Sequence, residues 1–143
     1  MQDSITREIT VKADPARVYA AMTDPKQIVS WLPDAVTGDL AVGKQSTFTF
    51  EGYGESSVYV VDAKPNEYFA YRWIPGGAHI VDDLLSVATT LVEFFITNVD
   101  DGTKVVIKES GFAALPADIA KASFTENSGG WDFMVGRLEK VLG

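Results

Sequence analysis

The sequence predicts an α+β protein in which a curved antiparallel sheet of six to seven strands wraps a long C-terminal helix. Three observations carry that expectation. Apolar and polar residues alternate in successive short runs between Thr47 and Ser110, two short helical patterns follow the first strand, and the chain ends in an amphipathic stretch, Gly129 to Leu142. In that last stretch Trp131, Val135, Leu138 and Leu142, with Phe124 before them, recur at helical spacing, whereas Asp132, Arg137, Glu139 and Lys140 fall largely off the stripe.

The first strand is read from Ile5, Arg7, Ile9 and Val11, which alternate with Thr6, Glu8 and Thr10, and it ends at Ala13. Asp14-Pro15 sets a capping side chain before a proline at the first helical position, and Val18, Tyr19 and Met22 form the inward stripe. Asp24-Pro25 repeats that start signal for a second helix, which carries Ile28, Val29, Trp31 and Leu32 before Pro33 stops it. Phe48 and Phe50 then alternate with Thr47, Thr49 and Glu51, and a Gly52-Tyr53-Gly54 turn joins them to Val58–Val61 as a hairpin. Lys64-Pro65-Asn66-Glu67 reads as a turn into a strand with Phe69, Tyr71 and Trp73 on one face. Asp100-Asp101-Gly102 is the strongest hairpin signal, flanked by strands at Thr90–Thr97 and Lys104–Ser110 that point Val92, Phe94, Ile96, Val105 and Ile107 the same way. The segment from Ile74 to Leu85 is too long for a tight turn; it reads as a lid or as a wide hairpin whose Ile80, Val81, Leu84 and Leu85 cover an edge of the core. Gly129 and Gly130 each disfavour a helix interior by roughly 1 kcal/mol relative to alanine, so the pair predicts a bend, a late helix start or close backbone approach.

Composition narrows the function. A chain of 143 residues with no linker-like stretch reads as one domain, residues 1–143, and 46% hydrophobic content is ordinary for a soluble globular protein. No apolar run nears the ~20 residues a bilayer requires, and no secretory leader is recognisable, so the cytoplasm is the expected location. Twelve basic against twenty acidic residues give a formal charge of −8, which argues against nucleic acid as a partner. Zero cysteines remove disulfides and thiolate chemistry, and a lone histidine, His79, leaves no histidine cluster for zinc. His79 with Asp82 and Asp83 makes a poor metal site on a glycine-rich loop, and Gly76-Gly77 lacks the ending of a phosphate loop. No cofactor and no metal are expected.

In order, these elements are β-α-α-β-β-β-β-β-α. Ala13-Asp14-Pro15-Ala16-Arg17-Val18-Tyr19, Thr23-Asp24-Pro25 with Trp31, Val61-Asp62-Ala63-Lys64-Pro65 running to Trp73, Asp101–Val105, Glu109-Ser110-Gly111-Phe112, and Gly130-Trp131 with Leu138 and Leu142 appear in a sequence that resembles, over nearly its whole length, the bacterial proteins similar to the C-terminal domain of the activator of heat-shock protein 90 ATPase. These belong to the START/Bet v 1-like superfamily. The resemblance implies a helix-grip fold with a cavity between the long helix and the concave face of the sheet. The superfamily includes lipid and hormone carriers, polyketide cyclases and chaperone regulators, so the fold locates a site without fixing its chemistry.

The inward faces supply the candidate cavity residues: Phe48, Phe50, Phe69, Tyr71, Trp73 and Phe94 from the strands, and Trp131 and Val135 from the helix. Trp31 joins them because the resemblance places the cavity mouth after the second helix, and Trp73 borders the entrance from the end of its strand. Such side chains also simply fill cores. Glu109 is the polar exception, in phase with Val105 and Ile107; it either has a partner such as the Tyr71 hydroxyl, meets water in a cavity, or lies at the exposed end of its strand, the last being the ordinary expectation. The expected function is binding of a hydrophobic or amphipathic small molecule, by a monomer or homodimer with no membrane span. One alternative is an interaction protein with a chaperone partner, against which stands the missing N-terminal domain of the chaperone activator. The other is a cyclase or hydrolase using Glu109, Tyr71 or Tyr53 as acid and base; without a nucleophile motif, binding is favoured over catalysis.

Overall fold

The computed structural model describes residues 2–76 and 80–143. Strand β1 (Ser4–Val11) leads into helices α1 (Pro15–Thr23) and α2 (Pro25–Ile28), as the two Asp-Pro signals predict. Asp14 accepts from the Arg17 amide at 2.8 Å and Asp24 from the Lys26 amide at 2.9 Å, so each aspartate satisfies a donor that its helix leaves open. Helix α2 is shorter than expected. Pro33 disfavours helical backbone at the residue before it, and the chain from Val29 to Leu32 continues in tight turns instead.

Strands β2 (Ala35–Thr37), β3 (Gln45–Phe50), β4 (Gly54–Lys64), β5 (Tyr68–Trp73), β6 (Thr90–Val99) and β7 (Gly102–Ser110) follow, and α3 (Ala117–Leu142) closes the chain. One antiparallel sheet of seven strands results, in the order β1-β7-β6-β5-β4-β3-β2. Its edge strand β2 escaped the sequence reading because three residues are too few to show alternation. Asn66 adopts φ +66° in the turn between β4 and β5, a conformation that asparagine tolerates. At the β6–β7 turn, a side chain on Gly102 would place its Cβ 2.0 Å from the Val11 carbonyl oxygen, so only glycine lets the hairpin sit against the end of β1.

Period-two alternation decides which face is buried. Phe48, Val58, Phe69, Tyr71, Val92, Phe94, Val105 and Ile107 are buried on the concave face, where α1 covers β5 and β6 and α3 lies against β1. Trp131, Val135, Leu138 and Leu142 form the buried stripe of α3, extended towards its start by Ala120 and Ser123. The end of α3 is tied to the end of β1, since Lys12 and Ala13 amides donate to the Gly143 and Leu142 carbonyls at 3.1 and 3.3 Å.

Two expectations are corrected here. Helix α3 starts at Ala117 and runs unbroken through Gly129 and Gly130, so there is no late start. Nor is there close approach, because a Cβ built on either glycine would have no neighbour within 4 Å. The segment after Trp73 also takes a course that periodicity could not show. Its later part crosses to the convex face, where the Gln45 amide donates to the Val81 carbonyl at 2.8 Å and the Ser57 hydroxyl accepts from the Val81 amide at 3.1 Å. Leu84 is fully buried there while Ile80 and Leu85 stay more than half exposed, at 55% and 53%. This part is therefore a cover on the outer face of β3 and β4, and His79 and Gly77 lie outside the described residues. Among the described residues, no helix is long and apolar enough to cross a membrane.

Candidate ligand cavity

Glu109 sits on the concave face near the end of β7, one strand from Thr90 on β6 and two from Trp73 on β5. The register pairs Trp73 with Thr90 and Val92 with Glu109, which brings the three residues to the same end of the sheet. Helix α3 passes over that end and adds Asn127 and Trp131, one turn apart. Glu109 is entirely buried, so the expected exposed strand end is corrected. Its partner is not Tyr71 either.

The carboxylate accepts from four side chains. The Trp73 indole N–H reaches Oε2 at 2.8 Å, the Thr90 hydroxyl reaches Oε2 at 2.5 Å, the Trp131 indole N–H reaches Oε1 at 2.8 Å, and Asn127 Nδ2 spans both oxygens at 2.9 and 3.0 Å. An indole N–H and an amide NH₂ can only donate, so the cluster is built around an acceptor with two oxygens. Tyr71 lies beside it with its hydroxyl buried and unpartnered, and its pKa is pushed well up by burial and, secondarily, by the Glu109 charge.

Asn127 also faces outward: its Oδ1 accepts from the Gly76 amide at 3.2 Å, which ties the start of the long segment to α3. Gly76 adopts φ +76°, and a Cβ there would lie 2.5 Å from Ser123 Cβ. Gly76→Ala is expected to lower stability by about 2 kcal/mol, measured by urea denaturation, through left-handed strain and the clash with the helix.

Beside this cluster opens a cavity of about 390 Å³ between α3 and the β3–β4 end of the sheet. Trp73 and Trp131 form part of its wall, 6.0 Å apart between ring centres and tilted by 34°. Because both indole N–H groups are engaged by Glu109, hydrocarbon is what these rings offer a ligand. Phe50, Leu32, Ile74, Pro75 and Met134 add apolar wall, and Gly130 contributes bare helix backbone. Tyr53 and Phe133 stand at the mouth, 83% and 65% exposed. Ser56, Glu126 and Asn127 add polar groups to the wall, as does the Tyr53 hydroxyl at the mouth.

Of the candidate residues, Phe50, Trp73 and Trp131 are on the wall. Phe48, Phe69, Tyr71 and Phe94 are fully buried beneath it in mutual edge and stacking contacts, such as Phe48–Tyr71 at 5.6 Å and Phe69–Phe94 at 6.3 Å. Val135 packs one turn past Trp131, and Glu109 lies behind the two indoles. Trp31 is in the packed interior, its indole donating to the Ala21 carbonyl at 2.8 Å and its ring 5.8 Å from Phe94. Asn127 escaped the sequence reading, although its place four residues before Trp131 on the buried stripe is a usable signal. Phe133 gave one too, as a large apolar residue off that stripe. Arg7 is a third: inward on β1, it donates to Asp132 Oδ1 at 2.6 Å and to the Ser128 carbonyl at 3.1 Å, clamping α3 beside the glycine pair.

Among the described residues, no group of three or more acidic or histidine side chains converges as a metal site would require. The family model for activator of Hsp90 ATPase homolog 1-like proteins matches residues 12–143. Comparison with curated proteins finds no match. Among solved structures, protein MLL2253 from Mesorhizobium loti is 23% identical, with a TM-score of 0.79 over 97% of this chain and 96% of that one. The Aha1 protein of Colwellia psychrerythraea, solved as a dimer, is 20% identical, with a TM-score of 0.77 over 99% of this chain and 96% of that one. DynU16, from the dynemicin biosynthetic locus, is 19% identical, with a TM-score of 0.79 over 99% of this chain and 48% of that one. At these identities the likeness is one of fold.

Proposed function

This chain belongs to the activator of Hsp90 ATPase homolog 1-like family, and from that premise we propose that it binds a hydrophobic or amphipathic small molecule in the cavity beside α3. The observation that carries the reading is the wall itself: two tryptophans whose polar atoms are held away by Glu109, set among apolar side chains around about 390 Å³. Pockets of that size and lining take small organic ligands. Catalysis has less to work with. Glu109 is spent on four donors, Tyr71 is fully buried, and only Tyr53 stands where a ligand would meet it.

Titration with naphthylmethanol tests the reading. Saturable quenching of tryptophan emission is expected, and its absence overturns the proposal. Gly130 and Gly129 provide a matched pair, since both lie in α3 with open space beyond them but only Gly130 lines the cavity. Leucine at either position gains roughly 0.8 kcal/mol of helix propensity, while Gly130→Leu fills the cavity and Gly129→Leu does not. Binding is expected to fall about tenfold in the first variant and to stay unchanged in the second.

Family membership itself favours one other reading, a regulator that acts on a heat-shock protein 90 chaperone through its surface. Stimulation of such an ATPase by the purified chain, unchanged in Gly130→Leu, decides for it.

A further inference from the structure

Glu109 gives the cavity a charge as well as a pair of fixed rings. Its four hydrogen-bond partners are all neutral, and Arg7, inward on the neighbouring strand β1, is paired with Asp132 rather than with this carboxylate. An unneutralised charge in a protein interior is costly, and the field it casts is weakly screened by water or salt. That field passes through the two indoles into the cavity.

Each indole also donates its N–H to the carboxylate, which leaves its ring richer in electrons and strengthens the attraction of its face for a cation. The mouth has the same sign. Glu126 lines it, and no lysine or arginine does so among the described residues. The nearby guanidinium groups are engaged: Arg7 binds Asp132 and Ser128, and Arg137 lies 6.0 Å over the Phe133 ring. The chain as a whole carries −8.

We propose that the cavity selects an amphipathic organic cation, an ammonium group joined to an apolar body, with the charge held against the partly open Trp73 ring that the buried Trp131 backs. This rests on the cavity reading above and adds the sign of the ligand's charge to it. Glu109 is then a positioning residue and a source of potential, without touching the ligand.

Three probes on one ring system test the proposal: naphthylmethyl-trimethylammonium, naphthylmethanol and naphthalenesulfonate, each titrated against the full chain by tryptophan quenching. The cation is expected to bind about tenfold more tightly than the alcohol, and the sulfonate most weakly. A cation that binds no more tightly than the alcohol overturns the proposal while leaving the cavity reading intact; an alcohol that gives no saturable quenching overturns the cavity reading, and this proposal with it. Glu126→Gln is expected to keep most of the cation preference, and loss of it there would assign the selectivity to the mouth and overturn the role of the buried carboxylate. Glu109→Gln, where folded, is expected to bring cation and alcohol to within about threefold of each other. An undiminished preference in that variant also overturns the proposal.

Discussion

Glu109→Leu is expected to cost about 4 kcal/mol of folding stability. The reasoning is an asymmetry. Exchanging a buried polar group and all its partners for apolar ones is often nearly neutral, whereas removing the acceptor alone strands every donor that served it. Here the stranded donors are the indole N–H groups of Trp73 and Trp131, the Asn127 amide and the Thr90 hydroxyl. At about 1 kcal/mol each, the low end for an unsatisfied buried donor, they account for the figure. A leucine fills most of the vacated volume, so a large loss reports on hydrogen bonding rather than packing. Urea denaturation of Glu109→Leu, Trp73→Phe and the double variant checks this: the double variant should lose about 1 kcal/mol less than the sum of the singles, because the second change removes one stranded donor. Strict additivity would mean that the Trp73–Glu109 bond contributes nothing.

The cluster shows where sequence reading stops. Phase along β7 is visible in the chain, so Glu109 is seen to face inward with Val105 and Ile107, as does Trp73 with Phe69 and Tyr71. Their meeting depends on register: that Trp73 opposes Thr90 and Val92 opposes Glu109 is set by pairing between strands, which alternation within one strand does not specify. Asn127 was hidden for a different reason. Glycines 129 and 130 weaken the helical signal enough to suggest a late start, and a helix begun there leaves Ser123 and Asn127 outside the buried stripe. Tertiary contacts override that local weakness, through the Arg7 clamp on Ser128 and Asp132 and the Glu109 bonds to Asn127 and Trp131. Trp31 illustrates the opposite case. Its buried indole finds a partner in the Ala21 carbonyl of α1, which makes it a core residue whatever lies at the mouth of the fold.

Trp131→Ala is the second large effect, a loss of about 4 kcal/mol accompanied by a wider cavity. Trp131 is 3% exposed, so its removal forfeits the burial of a large ring, and it leaves one oxygen of Glu109 short of a donor. The ring also packs against Trp73 at 6.0 Å and Phe94 at 6.4 Å, and α3 cannot close over the space without breaking the Arg7 clamp one residue further on, at Asp132. Trp131→Phe separates the two contributions. It keeps an aromatic ring and loses the N–H, so about 1 to 2 kcal/mol is expected from it. Thermal or urea unfolding of the two variants gives the split, and a near-neutral alanine variant would place Trp131 outside the core. The binding consequence runs in a definite direction. If Trp131 is the wall against which a ligand rests, alanine should weaken naphthylmethanol about tenfold while leaving room for a three-ring analogue that the native cavity takes poorly. Unchanged affinity for both would mean that the ligand sits elsewhere on the molecule.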